Sequence, residues 1–251
     1  MAEAAGGAPV PPVDLSGRRI LVTGGTAGAG RAFVEAFRAA GAAVGVLGRD
    51  AARLTEVADT TGAVGRVADV SDHDATATAV AEIVGVLGGL DGLINNAGLM
   101  LHSPPSKGQH DDWARMISAN LLGVMHATTV AASYFGDGGG DIINVGSTAA
   151  ERVSRADFTV YSASKAALRR LTEGFRLDYG ERGVRVVLVN PGLLRTGWTA
   201  GIRDAALRED LASLTDRRGL PVGLLASEVA RLLGLPRTVY VQEITITPFP
   251  A

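Results

Sequence analysis

Short apolar runs alternate along this chain with longer segments in which apolar residues recur every three or four positions. The runs have the length of strands, and the longer segments have the period of amphipathic helices. The predicted strands are Arg19–Thr23, Ala43–Leu47, Val64–Ala68, Gly92–Asn95, Asp141–Gly146, Arg185–Asn190 and Val239–Thr245. The predicted helices are Gly28–Ala40, Asp50–Thr60, Asp72–Leu87, Asp111–Tyr134, Phe158–Gly180, Arg203–Leu214 and Ser227–Leu233.

This alternation is typical of βαβ units. Several runs, such as Ile142-Ile143-Asn144-Val145, are almost entirely apolar, as expected for parallel strands covered on both faces. We therefore predict one α/β domain over residues 15–251. Its mostly parallel sheet of seven strands is doubly wound, with helices on both faces. Residues 1–14, rich in Ala, Gly and Pro, are predicted to form a disordered tail.

Composition excludes several classes of function. A formal net charge of -2 gives no electrostatic case for nucleic-acid binding. The chain has no cysteine, which excludes disulfides, thiol catalysis and thiolate zinc sites and fits a reducing cytoplasm. No run approaches the roughly 18 apolar residues of a membrane span, so no membrane partner is predicted. The four histidines are dispersed without ligand spacing, and no metal is predicted.

A glycine-rich segment follows the first predicted strand and opens the first helix. Its sequence is Thr23-Gly24-Gly25-Thr26-Ala27-Gly28-Ala29-Gly30. In this context glycines let a dinucleotide pyrophosphate approach backbone N–H groups at a helix start. The spacing differs from the standard G-x-G-x-x-G, and a purely structural turn is the alternative. We predict that Gly24, Thr26, Ala27, Gly28, Ala29 and Gly30 bind a dinucleotide.

The end of the second predicted strand bears on the choice of cofactor. An acidic side chain here selects NAD by binding the ribose 2′-OH, whereas an arginine accommodates the 2′-phosphate of NADP. Gly48 and Arg49 stand at this point, followed by Asp50. Asp50 fits better as the N-cap of the next helix. NADP(H) is therefore favoured, NAD(H) stays possible, and a merely solvated Arg49 is the remaining alternative.

Tyr161 and Lys165 lie four residues apart on a predicted helix, so they project from one face. A nearby ammonium is expected to lower the pKa of the phenol, which could then exchange a proton with a carbonyl or alcohol oxygen. The alternative is a solvated helix pair. Ser147 ends a buried strand and could orient a substrate oxygen or only cap a turn, and Thr148 offers a neighbouring hydroxyl.

Six motifs follow one another in a fixed order: the glycine turn, Asn95-Asn96-Ala97-Gly98, Asn120, Ser147, Tyr161 with Lys165, and Asn190-Pro191-Gly192. From about Leu15 to its end the chain resembles the short-chain dehydrogenase/reductase family. The resemblance implies a Rossmann-type fold and hydride transfer between NADP(H) and a carbonyl or secondary alcohol. The ending Glu243 to Pro248 is similar to that of a subgroup that reduces ketones and aldehydes with NADPH.

The resemblance also implies residue roles. The catalytic residues would be Asn120, Ser147, Tyr161 and Lys165. Further cofactor contacts would come from Asp69, Val70, Asn96, Ala97, Gly98, Tyr161, Lys165, Pro191, Gly192 and Thr196. Asn95 could be either structural or ligand-binding. Ser71 or Asp72 would cap the helix that follows Asp69.

The substrate would be a small carbonyl compound or alcohol in a largely apolar pocket. A lid is predicted at Leu193, Leu194, Trp198 and Ile202, and an opposite wall at Met100, Leu101, Ala149 and Phe158. Arg152, Arg155 and Arg195 could attract an anionic substrate or be merely solvated. A non-catalytic nucleotide sensor and a purely structural protein are competing functions, but neither needs the catalytic residues together.

Family resemblance further implies a homo-oligomer, dimer or tetramer, formed by the helices predicted at Asp111–Tyr134 and Phe158–Gly180. The apolar residues expected on their outer faces are Ala131, Ala132, Ala167, Leu168, Leu171 and Phe175.

Overall fold

A computed structural model of the chain describes residues 13–249. Seven parallel strands form one sheet in the order β3-β2-β1-β4-β5-β6-β9. The strands of this sheet are β1 Arg19–Thr23, β2 Ala43–Gly48, β3 Val64–Val67, β4 Gly92–Asn95, β5 Asp141–Val145, β6 Arg185–Pro191 and β9 Glu243–Ile246. The predicted α/β sheet of seven strands is confirmed. The tail predicted at residues 1–14 lies outside the described residues except for Val13 and Asp14.

The order of the strands reverses beside β1, which pairs with β2 on one side and β4 on the other. Each consecutive pair is parallel, so every strand presents its carboxyl end at the same edge of the sheet. In open α/β sheets this reversal point opens a crevice at that edge. The topology therefore locates a ligand site where β1 meets the glycine turn.

Helices cover both faces of the sheet. Those of the described chain are α1 Gly28–Ala39, α2 Ala51–Thr61, α3 His73–Leu87, α4 His110–Ile117, α5 Gly123–Ala132, α6 Thr159–Gly180, α7 Ala205–Arg218 and α8 Val222–Leu233. One apolar core lies under α1, α2 and α8, and a second lies under α3, α5 and α6. None of the described helices has both the length and the apolar character of a membrane span.

Two aspartates cap helices as their sequence positions suggest. The Asp50 carboxylate accepts from the Arg53 N–H at the start of α2, which confirms the predicted N-cap. At the start of α3 the cap is Asp72, which accepts from the Ala75 N–H, rather than Ser71. Both caps satisfy backbone donors that helix geometry leaves without an intrahelical partner.

The helix predicted at Asp111–Tyr134 runs from His110 to Ala132 and contains a π-helical turn. This turn, Ser118–Leu122, separates α4 from α5. The last helix begins at Val222, five residues before its predicted start, and the last strand begins at Glu243 rather than Val239. Two short strands, β7 Leu194–Arg195 and β8 Leu220–Pro221, pair with each other and were not predicted.

The residues predicted to form an outer oligomer surface are in part core residues. Ala131, Ala132, Leu168 and Phe175 are buried within the chain, because α5 and α6 turn those side chains onto the sheet. That part of the prediction is wrong. The large apolar side chains exposed on the α4–α5 surface are Ile117, Leu122 and Met125, each 38–44% exposed.

Candidate active site

A cleft of about 800 Å³ opens at the carboxyl edge of the sheet. Its walls come from the glycine turn, the ends of β2, β3 and β4, and the segment that follows β7. The structure brings the following predicted cofactor residues into this cleft: Gly24, Thr26, Ala27, Gly28, Arg49, Asp69, Val70, Asn96, Ala97, Gly98 and Thr196. Ala29, Gly30, Tyr161, Lys165, Pro191 and Gly192 do not line it.

The glycine turn has a shape that side chains would prevent. Gly24 has φ +66°, and a Cβ on it would lie 2.9 Å from the Ala97 Cα. A Cβ on Gly30 would lie 2.2 Å from the Gly24 carbonyl oxygen and 2.5 Å from Asn96 Nδ2. Gly24 thus permits the turn, and Gly30 permits close packing of α1 behind it. The role of Gly30 is therefore structural.

The turn ends at the start of α1 without a side-chain cap. Ala27 occupies the N-cap and has no acceptor, and the first turn carries no acidic residue. The N–H groups of this turn and the helix dipole together favour an anion. Because Ala27 and Gly28 line the cleft, a pyrophosphate fits there.

Charged side chains surround the end of the cleft at β2. Arg49 Nη1 lies 3.5 Å from Asp69 Oδ2, and its side chain is 59% exposed. Asp69 Oδ1 accepts from the N–H and hydroxyl of Ser71. Burial raises the pKa of Asp69, but the Ser71 hydrogen bonds and the Arg49 guanidinium outweigh it and lower the pKa overall. With Asp50 held as a cap, Arg49 is the side chain placed to meet an anionic group.

Gly48 stands where an acidic residue would select NAD. A Cβ at this position would lie 2.6 Å from Thr26 Cγ2, so the Thr26 methyl already fills the space. An acidic side chain would require Thr26 to move. Sequence reasoning missed Arg53, which also lines this part of the cleft, one turn into α2. The predicted N-cap at Asp50 could have indicated Arg53, because the residue three positions after an N-cap lies in the first turn of the helix, beside the same part of the cleft.

The segment Asn95-Asn96-Ala97-Gly98 has divided roles. Asn95 is buried, and its amide donates to the Thr128 hydroxyl and to Asn144 Oδ1 at 2.9 and 2.8 Å. Of the two roles considered for Asn95, structural and ligand-binding, the hydrogen bonds show the structural one. The Asn96 amide donates to the carbonyl oxygens of Thr23 and Gly24 and fixes the glycine turn.

Lys165 and Tyr161 lie beside the end of β5. Lys165 Nζ donates to the Val145 carbonyl oxygen at 2.8 Å and lies 5.9 Å from the centroid of the Tyr161 ring. Lys165 is 6% exposed, and burial lowers its pKa to about 8. Burial raises the pKa of Tyr161, and the Ser147 hydroxyl lowers it by less. The expected drop in the Tyr161 pKa is therefore wrong, because desolvation dominates.

Ser147 caps a turn, which is one of the two roles weighed from sequence. Its Oγ accepts from the Ala149 N–H at 3.1 Å and caps the short turn Thr148–Ala150. A serine hydroxyl has one donor and two lone pairs. The cap uses one lone pair, so the hydroxyl proton stays available to donate toward an oxygen beside Tyr161.

Asn120 lies in the π-helical turn and is fully buried. Its Oδ1 accepts from the Leu99 N–H, and its amide donates to the Leu99 carbonyl oxygen and to the Ser164 hydroxyl. A Cβ on Gly98 would lie 2.9 Å from Asn120 Oδ1 and 3.8 Å from Lys165 Nζ. Asn120 thus joins the loop after β4 to α6 and lies near Lys165.

Pro191 ends β6, and the Gly192 N–H donates to the Ile246 carbonyl oxygen. This bond holds the chain that leads through β7 to Thr196 and Trp198 at the cleft. Trp198 also packs against Phe158, with ring centroids 6.1 Å apart. Met100, Tyr161, Ile202, Leu207, Leu211 and Leu214 join them in one apolar cluster. Of the residues predicted for the substrate pocket, this cluster contains Met100, Phe158, Trp198 and Ile202, whereas Leu194 packs in the core under α1, α2 and α8.

Two of the three arginines that could attract an anionic substrate bind other groups of the protein. Arg155 Nη2 lies 3.1 Å from Asp157 Oδ2, and Arg195 Nη2 donates to the Gly219 carbonyl oxygen. Neither is placed at Tyr161 by these contacts.

Comparison with known proteins identifies the family. Residues 18–207 match the family model of the short chain dehydrogenases. An oxidoreductase of Staphylococcus saprophyticus is 32% identical over 243 residues, covering 94% of this chain and 99% of that protein. The chain belongs to the short-chain dehydrogenase family. It is accordingly an NAD(P)-dependent oxidoreductase by membership.

Solved structures of this family have the same fold. A dehydrogenase/reductase from Sinorhizobium meliloti superposes with a TM-score of 0.81 at 33% identity, covering 94% of this chain and 95% of that one. A short chain dehydrogenase from Burkholderia cenocepacia, solved in complex with NADP, gives 0.81 at 33% identity, covering 93% and 97%. The Rossmann-type short-chain dehydrogenase architecture therefore holds over nearly the whole chain.

Proposed function

We propose that this short-chain dehydrogenase reduces a small ketone or aldehyde with NADPH, or oxidises the corresponding alcohol with NADP. One juxtaposition carries the proposal. Gly98 lines the dinucleotide cleft, and a Cβ on it would lie 3.8 Å from the buried Lys165 ammonium that neighbours Tyr161. The cleft for a hydride carrier and a phenol able to move a proton thus adjoin each other.

Tyr161 is the proton donor of this mechanism. A nicotinamide held in the cleft would supply or accept the hydride. As negative charge develops on the carbonyl oxygen, the Tyr161 hydroxyl donates its proton, and the Ser147 hydroxyl donates a hydrogen bond to the same oxygen. A tyrosine hydroxyl is protonated at neutral pH without any shift, so Tyr161 holds the proton that reduction requires. In oxidation Tyr161 accepts the proton instead.

We assign Lys165 and Asn120 to support of Tyr161. The Lys165 ammonium, buried beside the ring, favours the phenolate that remains after proton donation. Asn120 Oδ1 and Lys165 Nζ both lie near the position of a Cβ on Gly98, and we assign Asn120 to the path by which the proton is replaced. Its hydrogen bonds to Leu99 and Ser164 keep both sides of that path fixed.

The preference for NADP(H) is supported by the wall at β2. Arg49 lines the cleft beside Gly48, where the Thr26 methyl occupies the space that an acidic side chain would need, and the neighbouring Asp50 is held as the N-cap of α2. Arginine binds phosphate with charge-assisted hydrogen bonds. The Burkholderia cenocepacia relative in complex with NADP agrees with this preference.

The function is tested with purified protein, a panel of ketones and aldehydes, and NADPH absorbance. We expect one or more substrates to consume NADPH, and NADH to support a much lower kcat/KM. The proposed activity would be contradicted if no carbonyl compound were reduced with NADPH and no alcohol were oxidised with NADP. Equal efficiency with both cofactors would contradict the assignment of Arg49.

We propose further that the chain forms a homodimer or a homotetramer. Apolar surface is exposed by Ile117 at the end of α4, Leu122 at the end of the π-helical turn and Met125 on α5. A second copy that covers this surface would remove it from water. Light scattering at micromolar concentration is expected to give at least the dimer mass, and Met125→Lys to lower it. A monomer mass for the natural chain would contradict the proposal.

A further inference from the structure

Residues 196–203, termed the roof segment, form one side of the cofactor cleft. Thr196, Gly197, Trp198 and Ala200 line the cleft. A Cβ on Gly28 would lie 3.6 Å from the Thr196 Cβ, so the roof segment reaches the glycine turn. The position of this segment therefore decides how closely the cleft surrounds a bound dinucleotide.

The two ends of the roof segment are attached differently. Before it, β7 pairs with β8 through only two residues on each strand. At its other end Ile202 is 2% exposed and packs against Phe158 and Leu211. Arg203, the next residue, forms an ion pair that attaches this end of the roof segment to α4.

Arg203 binds Asp112 on α4 with a fork of two contacts. Its Nη1 lies 2.9 Å from Asp112 Oδ2, and its Nη2 donates to Oδ1 at 3.1 Å. Only the contact from Nη2 to Oδ1 has hydrogen-bond geometry, and it is charge-assisted, whereas the contact from Nη1 to Oδ2 is an ion pair without a hydrogen bond. The pair joins residues 91 positions apart in the chain and connects the roof segment to α4.

Burial makes Asp112 depend on that contact. Its side chain is 6% exposed, whereas the Arg203 side chain is 63% exposed. A carboxylate removed from water needs a close cation. The other basic group near it, Arg115, lies on the same helix, with Nη1 3.5 Å from Oδ1. Arg203 is thus the closer partner and the one that belongs to the roof segment.

The other end of this connection is well anchored. Helix α4 leads directly into the π-helical turn that carries Asn120. Asn120 is hydrogen-bonded to Leu99 and to Ser164 on α6, the helix of Tyr161 and Lys165. Asp112 therefore sits on an element that is fixed relative to the reacting groups.

We propose that Asp112 and Arg203 are positioning residues that hold the roof segment over the cofactor cleft. Loss of the pair leaves the packing of Ile202 as the remaining attachment of that end, so that the segment opens more often and a bound dinucleotide leaves faster. The identity of the ligand rests on the proposed function, but the effect on the roof segment does not.

The first test measures hydrogen exchange of the cofactor-free full chain. Arg203→Gln removes the roof partner, and Asp112→Asn with Arg203→Gln removes both charges, so that no unpaired buried carboxylate threatens folding. Arg115→Gln is the matched control, because it removes the partner that lies on α4. The rate of hydrogen exchange in residues 196–203 is expected to rise several-fold in the first two variants and to equal that of the natural chain in the control. A folded double variant whose exchange rate equals that of the natural chain would overturn the proposal.

The second test measures NADPH dissociation by stopped-flow fluorescence. Arg203→Gln and the double variant are expected to release NADPH about tenfold faster than the natural chain, equivalent to about 1.4 kcal/mol. The two variants should agree, because each has already lost the pair. An unchanged rate beside a loosened roof segment would overturn its role in retaining the cofactor. If the natural chain bound no NADPH, the proposed function would be contradicted. The hydrogen-exchange measurement would still test whether Asp112 and Arg203 hold the roof segment.

Discussion

Lys165 Nζ donates a 2.8 Å hydrogen bond to the carbonyl oxygen of Val145, the last residue of β5. Two residues later the chain places Ser147. One bond therefore fixes the ammonium of α6 against the strand that delivers the serine, and it does so in a buried position. Burial beside the end of β5 thus fixes the position of the Lys165 ammonium and also removes it from water.

Burial of Lys165 should make the stability of the chain depend on pH. Its pKa is lowered from 10.5 to about 8, so between these values the unfolded state holds a proton that the folded state lacks. The free energy of unfolding contributed by Lys165 therefore rises with pH across this window, and below about pH 8 its burial costs roughly 3 kcal/mol. Urea unfolding of Lys165→Met and the natural chain from pH 7 to 10 checks this.

The expected result is a difference between the two proteins that changes with pH. Relative to the natural chain, Lys165→Met should be most stable at pH 7, and this advantage should shrink as pH approaches 10. Subtracting the two curves removes the titration of groups they share. A difference that stays constant over the window would show that the Lys165 pKa is not lowered.

Arg49→Ala should weaken NADPH binding far more than NADH binding. Loss of a charge-assisted contact to a phosphate costs about 1.5–3 kcal/mol, or about tenfold or more in Kd. Titration calorimetry with both cofactors measures the two losses. Arg66→Ala is the control, because Arg66 pairs with Glu82 on α3 and does not line the cleft. Equal losses for both cofactors would mean that Arg49 does not contact the 2′-phosphate.

Gly30→Ala and Gly85→Ala should have opposite effects, although both glycines lie within helices. A methyl at Gly30 would meet the Gly24 carbonyl oxygen at 2.2 Å, so we expect a loss of about 1–3 kcal/mol or more in unfolding free energy. A methyl at Gly85 meets nothing within 4 Å, so we expect a gain of roughly 0.5–1 kcal/mol. Denaturant titration decides, and a neutral Gly30→Ala would contradict the close packing of the turn.

Sequence predicted the strands and the glycine turn well because their signals are local. A continuous apolar run and a glycine where φ is positive depend little on distant residues, as Gly24 illustrates. The caps at Asp50 and Asp72 were accessible for the same reason.

The features that sequence did not predict depend on tertiary contacts. The π-helical turn exists where Asn120 bonds to Leu99 and Ser164, partners that are 21 and 44 residues away. The Tyr161 pKa was expected to fall from helix spacing alone, but burial raises it. The pairing of Asp112 with Arg203 likewise has no local signal.

The central claim is that Tyr161 moves the proton of a carbonyl reduction carried out with NADPH. Tyr161→Phe keeps the ring and removes only the hydroxyl, so it separates chemistry from binding. The decisive measurement is the rate of NADPH oxidation by this variant with the best carbonyl substrate, alongside its Kd for NADPH. We predict loss of nearly all turnover with a Kd close to that of the natural chain. Substantial turnover in Tyr161→Phe with cofactor binding intact would contradict the account.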